Sequence, residues 1–233
     1  MSFLIQGRRP VLAALRAVSP DLIKAIYCTE KTESECRDIP AHTRQKLVRM
    51  EGTRFRQRFP EGRGLALELL ARPPVKRTLA EATGEGQGLI VITDRIQDVQ
   101  NLSSIARSAE ALGARSLIVT GSGARLDETA FRLSAGAAFF LDHFFHGSLK
   151  YILDTLRNHN YTIFLSKAGE QRTLPSLPPL ERRALVIGSE YHGIKAGVER
   201  ETDIVLSIPM RGQTESLNAG VAAGILIHQL MAS

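Results

Sequence analysis

Four short apolar runs constrain the fold of this chain more than anything else in it: LIVIT (89–93), SLIVT (116–120), ALVIG (184–188) and DIVLSI (203–208). None alternates polar with apolar, so each reads as a strand buried on both faces. Helical patterns stand between them, at 101–112 (where Gly113 is placed to end the helix), 127–135 and 148–159, with a further strand at 161–166. Strand alternating with helix implies an α/β domain: one parallel sheet with helices on both faces. A closing helix is expected from about 216 to 231, with Leu217, Val221, Ile225 and Leu226 on one side.

The region before the first of these runs is different. Residues 1–72 mix a helix (9–18, with Val11, Leu12, Leu15 and Val18 at helical spacing) with strands at 23–29 and 65–70, and read as a small α/β domain. Residues 73–88, PPVKRTLAEATGEGQG, have the composition of a linker with room for one short helix. Residues 89–233 form the larger domain. The net charge of +6 lies wholly in the first zone, where 14 Lys and Arg face 8 Asp and Glu. It is densest at 44–63, RQKLVRMEGTRFRQRFPEGR, where Phe55 and Phe59 interleave with Arg54, Arg56 and Arg58. Such a patch suits a polyanion, RNA above all, through counterion release and base stacking. The same residues also read as a solvated basic face over two core phenylalanines.

Several classes are excluded or disfavoured. No apolar run approaches the roughly 18 residues of a membrane span, and MSFLIQGRRP lacks the order of a signal peptide. Cys28 and Cys36, eight residues apart without a histidine at ligand spacing, make a poor zinc site and read as reduced thiols of a cytoplasmic protein. No metal site is expected.

Ligands of open α/β sheets sit beyond the carboxyl ends of the strands. The loops to inspect are therefore DRIQDVQN, GSGARLDE, SEYHGI and PMRGQTESLN. Gly121-Ser122-Gly123 has the start of a dinucleotide fingerprint, but Leu126 stands where a third small residue belongs. In the third loop Gly188 lets backbone approach a ligand closely, or simply turns from strand to helix. In the fourth, Ser216 reads equally as the N-cap of the last helix. Asn101 likewise reads as a cap and Arg107 as a surface arginine, about 120° round the helix from it.

Taken together, three of these segments resemble the motifs of the SpoU/TrmH-like RNA 2′-O-ribose methyltransferases of the SPOUT class. DVQNLSSIARSAEALGA carries that family's Asn and Arg at Asn101 and Arg107; VIGSEYHGI carries its Glu at Glu190; IPMRGQTESLNAGVAAGI carries its Ser-Leu-Asn at Ser216, Leu217 and Asn218. LSAGA (133–137) is similar to the family's Ser-x-Gly-Ala helix end, and the likeness covers 89–233. IQGRRPVLAAL (5–15) is similar to the opening of the ribosomal-protein-like substrate-binding domain that precedes the catalytic domain in rRNA-directed members.

The resemblance implies a C-terminal trefoil knot, a homodimer and S-adenosylmethionine as methyl donor, held around Gly188, Ile208 and Leu217 with Ser216 and Asn218 close by. It implies a ribose 2′-hydroxyl of RNA as acceptor, rRNA before tRNA. It makes Arg107 the catalytic arginine, acting toward a site completed by the partner chain, with Asn101, Glu190, Ser216 and Asn218 orienting the ribose and Arg107. A general-base role has been proposed for that arginine; a bidentate grip on the neighbouring phosphate suits a guanidinium better. The chain departs from the family at Val99 (usually Pro), Ser103 (usually Gly), Tyr191 (usually Gly) and Ala219-Gly220 (usually Val-Ser). A tRNA 2′-O-methyltransferase, a non-catalytic RNA-binding protein of the same fold and a nucleotide-dependent oxidoreductase are the competing readings.

Overall fold

The computed structural model describes residues 2–37, 39–73, 78–84, 87–168, 182–189 and 198–232. The chain divides into two compact units, Met1–Pro74 with Leu126–Phe140, and Val75–Arg125 with Leu141–Ser233.

The first unit is built on a four-stranded sheet. β1 (Phe3–Gln6), β2 (Ile23–Cys28), β3 (Leu47–Arg49) and β4 (Leu65–Leu69) stand in the order β1-β4-β2-β3. β4 pairs antiparallel with both β1 and β2, and β3 runs parallel to β2. Sequence periodicity marks β2 and β4 but neither β1 nor the three-residue β3. α1 (Arg8–Ala17) buries Pro10, Val11 and Ala14, while Leu12, Leu15 and Val18 are only half-buried. α2 (Ala41–Arg44) and α3 (Gly52–Arg58) complete the N-terminal part, and the Glu51 carboxylate caps α3 through the amides of Thr53 and Arg54.

The segment 126–140 groups with this unit rather than with the neighbours it has in sequence. Its helix is predicted at 127–135, within the larger zone; its apolar side explains the different company it keeps. The Phe131 ring meets Phe3 edge-on at 5.4 Å and Phe139 at 4.5 Å. Gly136 adopts a left-handed φ of 89° against α1, where an added Cβ would lie 2.4 Å from that of Ala13. Only glycine accepts both conditions.

Cys28 and Cys36 are free and buried in this unit. Burial pushes the Cys36 thiol up to about 11 and raises that of Cys28 as well. Since the thiolate is the reacting form, neither should be alkylated by N-ethylmaleimide at pH 7.5 until the chain is unfolded in guanidinium; intact-mass spectrometry counts the adducts.

The second unit holds the expected parallel sheet. β5 (Gly88–Asp94), β6 (Ser116–Thr120), β7 (Asp142–His146), β8 (Thr162–Ser166), β9 (Arg182–Gly188) and β10 (Ile204–Leu206) are ordered β10-β8-β9-β5-β6-β7, and every pairing is parallel. β7 is the strand that apolar runs do not reveal: DHFFH is polar at both ends and lies at the sheet edge. On one face, Leu149, Ile152, Leu153 and Leu156 of α7 (Leu149–Asn158) pack on Ile90, Ile92, Ile118, Ile163, Leu165 and Val186. The alternate strand residues point to the other face, which α5 (Val99–Ala111) and α8 (Ala219–Ala232) cover side by side. α4 (Leu79–Gly84) occupies the predicted linker, opened by a reciprocal cap in which the Thr78 amide donates to the Glu81 carboxylate and the Glu81 amide to the Thr78 hydroxyl.

The buried face of α8 differs from the expected one. It consists of Ala219, Gly220, Ala223, Leu226, Ile227 and Leu230, while Val221 and Ile225 face solvent. Small residues are needed against α5: a Cβ on Gly220 would lie 2.7 Å from the Cβ and Oγ of Ser104. The helix therefore approaches through its glycine-and-alanine side, and the family's usual serine at 220 would not fit here without a shift of backbone.

Candidate active site at the carboxyl edge of the parallel sheet

The order of strands runs outward in opposite directions from β5 and β9, which places a crevice beyond their carboxyl ends. Asp94 and Gly188 lie opposite each other in register there. Asp94 is buried, and its two oxygens accept from the Thr120 hydroxyl at 3.1 Å and from Arg95 Nε at 2.9 Å. None of the sequence motifs includes this network; an aspartate closing an apolar strand is its visible trace. Gly123, at φ 145°, runs against the Ile96 carbonyl, which an added Cβ would meet at 2.3 Å. The Gly-Ser-Gly sequence thus serves the close passage of two loops.

α5 begins two residues earlier than its pattern suggests, at Val99. The N-cap is Asp98, whose carboxylate accepts from the Gln100 amide at 2.8 Å. Asn101 is therefore not a cap; it is buried in the first turn, and its Oδ1 accepts from Asn218 Nδ2 at 2.7 Å. Asn218 in turn caps α8: its Oδ1 accepts from the amides of Gly220 and Val221 at 2.9 and 3.3 Å. Ser216, the sequence candidate for that cap, is exposed and lies ahead of the helix. Two residues 117 positions apart thus tie the first and last motifs together.

Two departures are explained by the same turn. Val99 occupies the first helical position, where the amide has no intrahelical acceptor, so proline and valine are both tolerated. Ser103 is buried and its hydroxyl donates to the Val99 carbonyl at 2.6 Å, closing on its own helix.

The other expected residues are dispersed. Gly188 ends β9 at the crevice. Ile208 and Leu217 are half-buried at the two ends of the exposed stretch 209–216. Arg107 lies less than two turns up α5, about 9 Å along the axis from Asn101; it is exposed and forms no ion pair among the described residues. Glu190, with Tyr191 and His192, lies outside the described residues. No group of three or more His, Cys, Asp or Glu among the described residues has the geometry to hold a metal, and no described helix is long and apolar enough to cross a membrane.

In the first unit, Arg54, Arg56 and Arg58 are exposed on α3. Phe55 and Phe59 are not available for stacking on bases: they are buried with Tyr27 and Ala66 as a core. Arg58 lies over the rings of Tyr27 (4.6 Å) and Phe59 (5.1 Å) and donates to the Tyr27 hydroxyl at 3.1 Å. That hydroxyl donates to Glu68, whose carboxyl is held below its usual range chiefly by the Lys24 ammonium. Beside α3 opens a cavity of about 790 Å³ whose walls include Lys31, Arg49, Arg56 and Arg63.

Residues 88–228 match the model of the SpoU rRNA Methylase family. An uncharacterized tRNA/rRNA methyltransferase of Mycobacterium avium is 32% identical over 244 residues, covering 97% of this chain and 76% of its own. The SpoU methyltransferase AviRb of Streptomyces viridochromogenes superposes with a TM-score of 0.80 at 24% identity, over 99% of this chain and 89% of that one; it has also been solved in complex with the cofactor AdoMet (TM-score 0.77, 23% identity, 99% and 90%). A crystal structure described as an RNA 2′-O ribose methyltransferase gives 0.76 at 24%, over 99% and 88%. At such identities these structures establish the fold.

Proposed function

The chain belongs to the SpoU rRNA methylase family, and from that premise we propose that it methylates a ribose 2′-hydroxyl of RNA with S-adenosylmethionine as donor. It is a methyltransferase of that family; the donor, the ribose oxygen and rRNA as target are this proposal. The observation that carries it is the Asn218–Asn101 hydrogen bond, which joins the ends of two motifs at the switch-point edge of the sheet.

The residues present suit the donor. Gly188 offers backbone without a side chain at the crevice, and half-buried Ile208 and Leu217 offer apolar surface for an adenine ring. S-adenosylmethionine supplies an electrophilic methyl on a positively charged sulfur. The protein positions the acceptor: Arg107 grips the phosphate beside the ribose in a bidentate pair, and Asn218, fixed as a cap, holds its amide against Asn101. Glu190 and Ser216 orient the ribose. Positioning of this kind supplies a large share of the rate.

Because Arg107 stands away from the Asn101–Asn218 pair on its own chain, it serves the site of a partner protomer. A homodimer is part of the proposal, as is the knot. The exposed Val221, Ile225 and Met231 of α8 are apolar surface for such an interface. The first unit binds the RNA. Arg54, Arg56 and Arg58 are the residues that meet its phosphates, and replacing all three with alanine should lower the salt slope of RNA binding by roughly 0.9 for each phosphate no longer neutralised. Filter binding between 50 and 200 mM KCl measures it; an unchanged slope takes the patch away from the RNA.

The decisive test is incubation with labelled S-adenosylmethionine and total rRNA or tRNA, followed by mapping of the 2′-O-methyl position. Label on a base, or no binding of S-adenosylmethionine in calorimetry, refutes the reading.

A further inference from the structure

The carboxyl edge of the parallel sheet extends past the methyl-transfer site to the tip of β7. Register aligns Gly188, Asp94, Thr120 and His146 in one row across β9, β5, β6 and β7. With strands about 4.8 Å apart, His146 lies about 14 Å from Gly188. A stacked nucleic-acid strand rises about 3.4 Å per base, so a few nucleotides span that distance.

Aromatic surface is concentrated at this tip. Phe145 is 51% exposed and Tyr151 is 55% exposed. The Arg125 guanidinium, from the loop after β6, lies 3.2 Å above the Phe145 ring centroid. It is exposed and forms no ion pair among the described residues. The His146 ring stacks on Tyr151 at 4.5 Å with 21° between planes, and its Nδ1 is 3.1 Å from the Ser148 amide that it accepts from. That bond and the Ser148 cap, which fixes Tyr151 at the start of α7, hold the pair in place. At Gly147, directly after His146, an added Cβ would meet nothing within 4 Å.

Neither ring belongs to the described core: Phe145 and Tyr151 are both exposed. A core uses phenylalanine by burying it, and here both large rings are left in water, each backed on one side by a flat cationic or imidazole group. Phe145 and His146 are adjacent strand residues and therefore face opposite sides of the sheet. A chain crossing the sheet tip would find one flat surface on either side and a guanidinium for its phosphate. Unpaired bases have the matching chemistry, because stacking on aromatic and guanidinium planes is how single-stranded RNA is held without dependence on sequence.

We propose that Arg125, Phe145, His146 and Tyr151 form a stacking platform for unpaired bases of the RNA strand whose ribose is methylated. The platform rests on RNA being the substrate, and it adds that the target lies in a single-stranded loop or bulge, with flanking bases on β7.

The test uses the full-length protein and a ten-nucleotide single-stranded oligoadenylate carrying 2-aminopurine, whose fluorescence is quenched on stacking. Phe145→Ala and Tyr151→Ala should each weaken binding about tenfold, with the salt slope unchanged. Arg125→Ala should also reduce the slope by about 0.7, the value for one phosphate of a single strand. Phe145→Trp should retain affinity and quenching, which a merely structural role would not predict. The dissociation constant for S-adenosylmethionine and the melting temperature should stay at wild-type values. Wild-type affinity and quenching in both alanine variants overturn the platform. That result is separable from failure of the methyltransferase reading, which shows as absent label transfer by the wild-type protein whatever its RNA affinity.

Discussion

Arg107→Ala should reduce kcat/KM for RNA methylation by about 10²–10³-fold while S-adenosylmethionine binds as before. The magnitude is that of removing one preorganised charged donor from a transition state. Because the side chain is exposed and forms no ion pair among the described residues, the fold does not depend on it, and the melting temperature should stay put. Arg107→Lys keeps the charge without the two-pronged geometry and should recover only part of the rate. A pH profile separates the two roles open to an arginine here. A guanidinium stays protonated in proteins and has no lone pair to accept a proton, which disfavours general-base action. A phosphate clamp predicts that the profile keeps its shape in the lysine variant while its height falls. Full activity in the alanine variant would remove Arg107 from the site.

The parallel sheet is legible in the sequence because strands buried inside it leave apolar runs, and five of its six strands, all but β7, are read that way. β7 escapes because an edge strand has less to bury, and its exposed Phe145 breaks any simple reading of hydrophobicity. The closing helix is legible in its place but not in its face. Periodicity weights large apolar residues, whereas the packing of α5 on α8 selects small ones. Val221 and Ile225 are therefore expected inward, yet Ala219, Gly220 and Ala223 are the residues that pack. Capping shows the same limit. Ser216 and Asn101 have the right side chains for caps, but Asp98 and Asn218 hold those positions, and nothing local distinguishes the candidates. Aromatic interleaving misleads in the opposite sense: Phe55 and Phe59 look like stacking residues in the sequence, and the fold buries them.

Asn218→Ala should lower the melting temperature by about 4–8 °C and abolish most activity. Two losses combine: the cap of α8, about 1 kcal/mol, and a part-buried amide hydrogen bond to Asn101, about 0.5–1.5 kcal/mol more. For a chain of this size each kcal/mol shifts the midpoint by about 2–4 °C. Asn218→Ser separates the two. Serine caps nearly as well as asparagine, but its shorter side chain does not reach Asn101 across the present 2.7 Å hydrogen bond. Stability should return by about half in the serine variant, as read by calorimetric melting, while methylation stays low. A double-mutant cycle with Asn101→Ala then isolates the pair, and a coupling of about 1 kcal/mol is expected for side chains in direct contact. If the serine variant regains both stability and activity, Asn218 acts only as a helix cap, and the joining of the two motifs has no part in the chemistry.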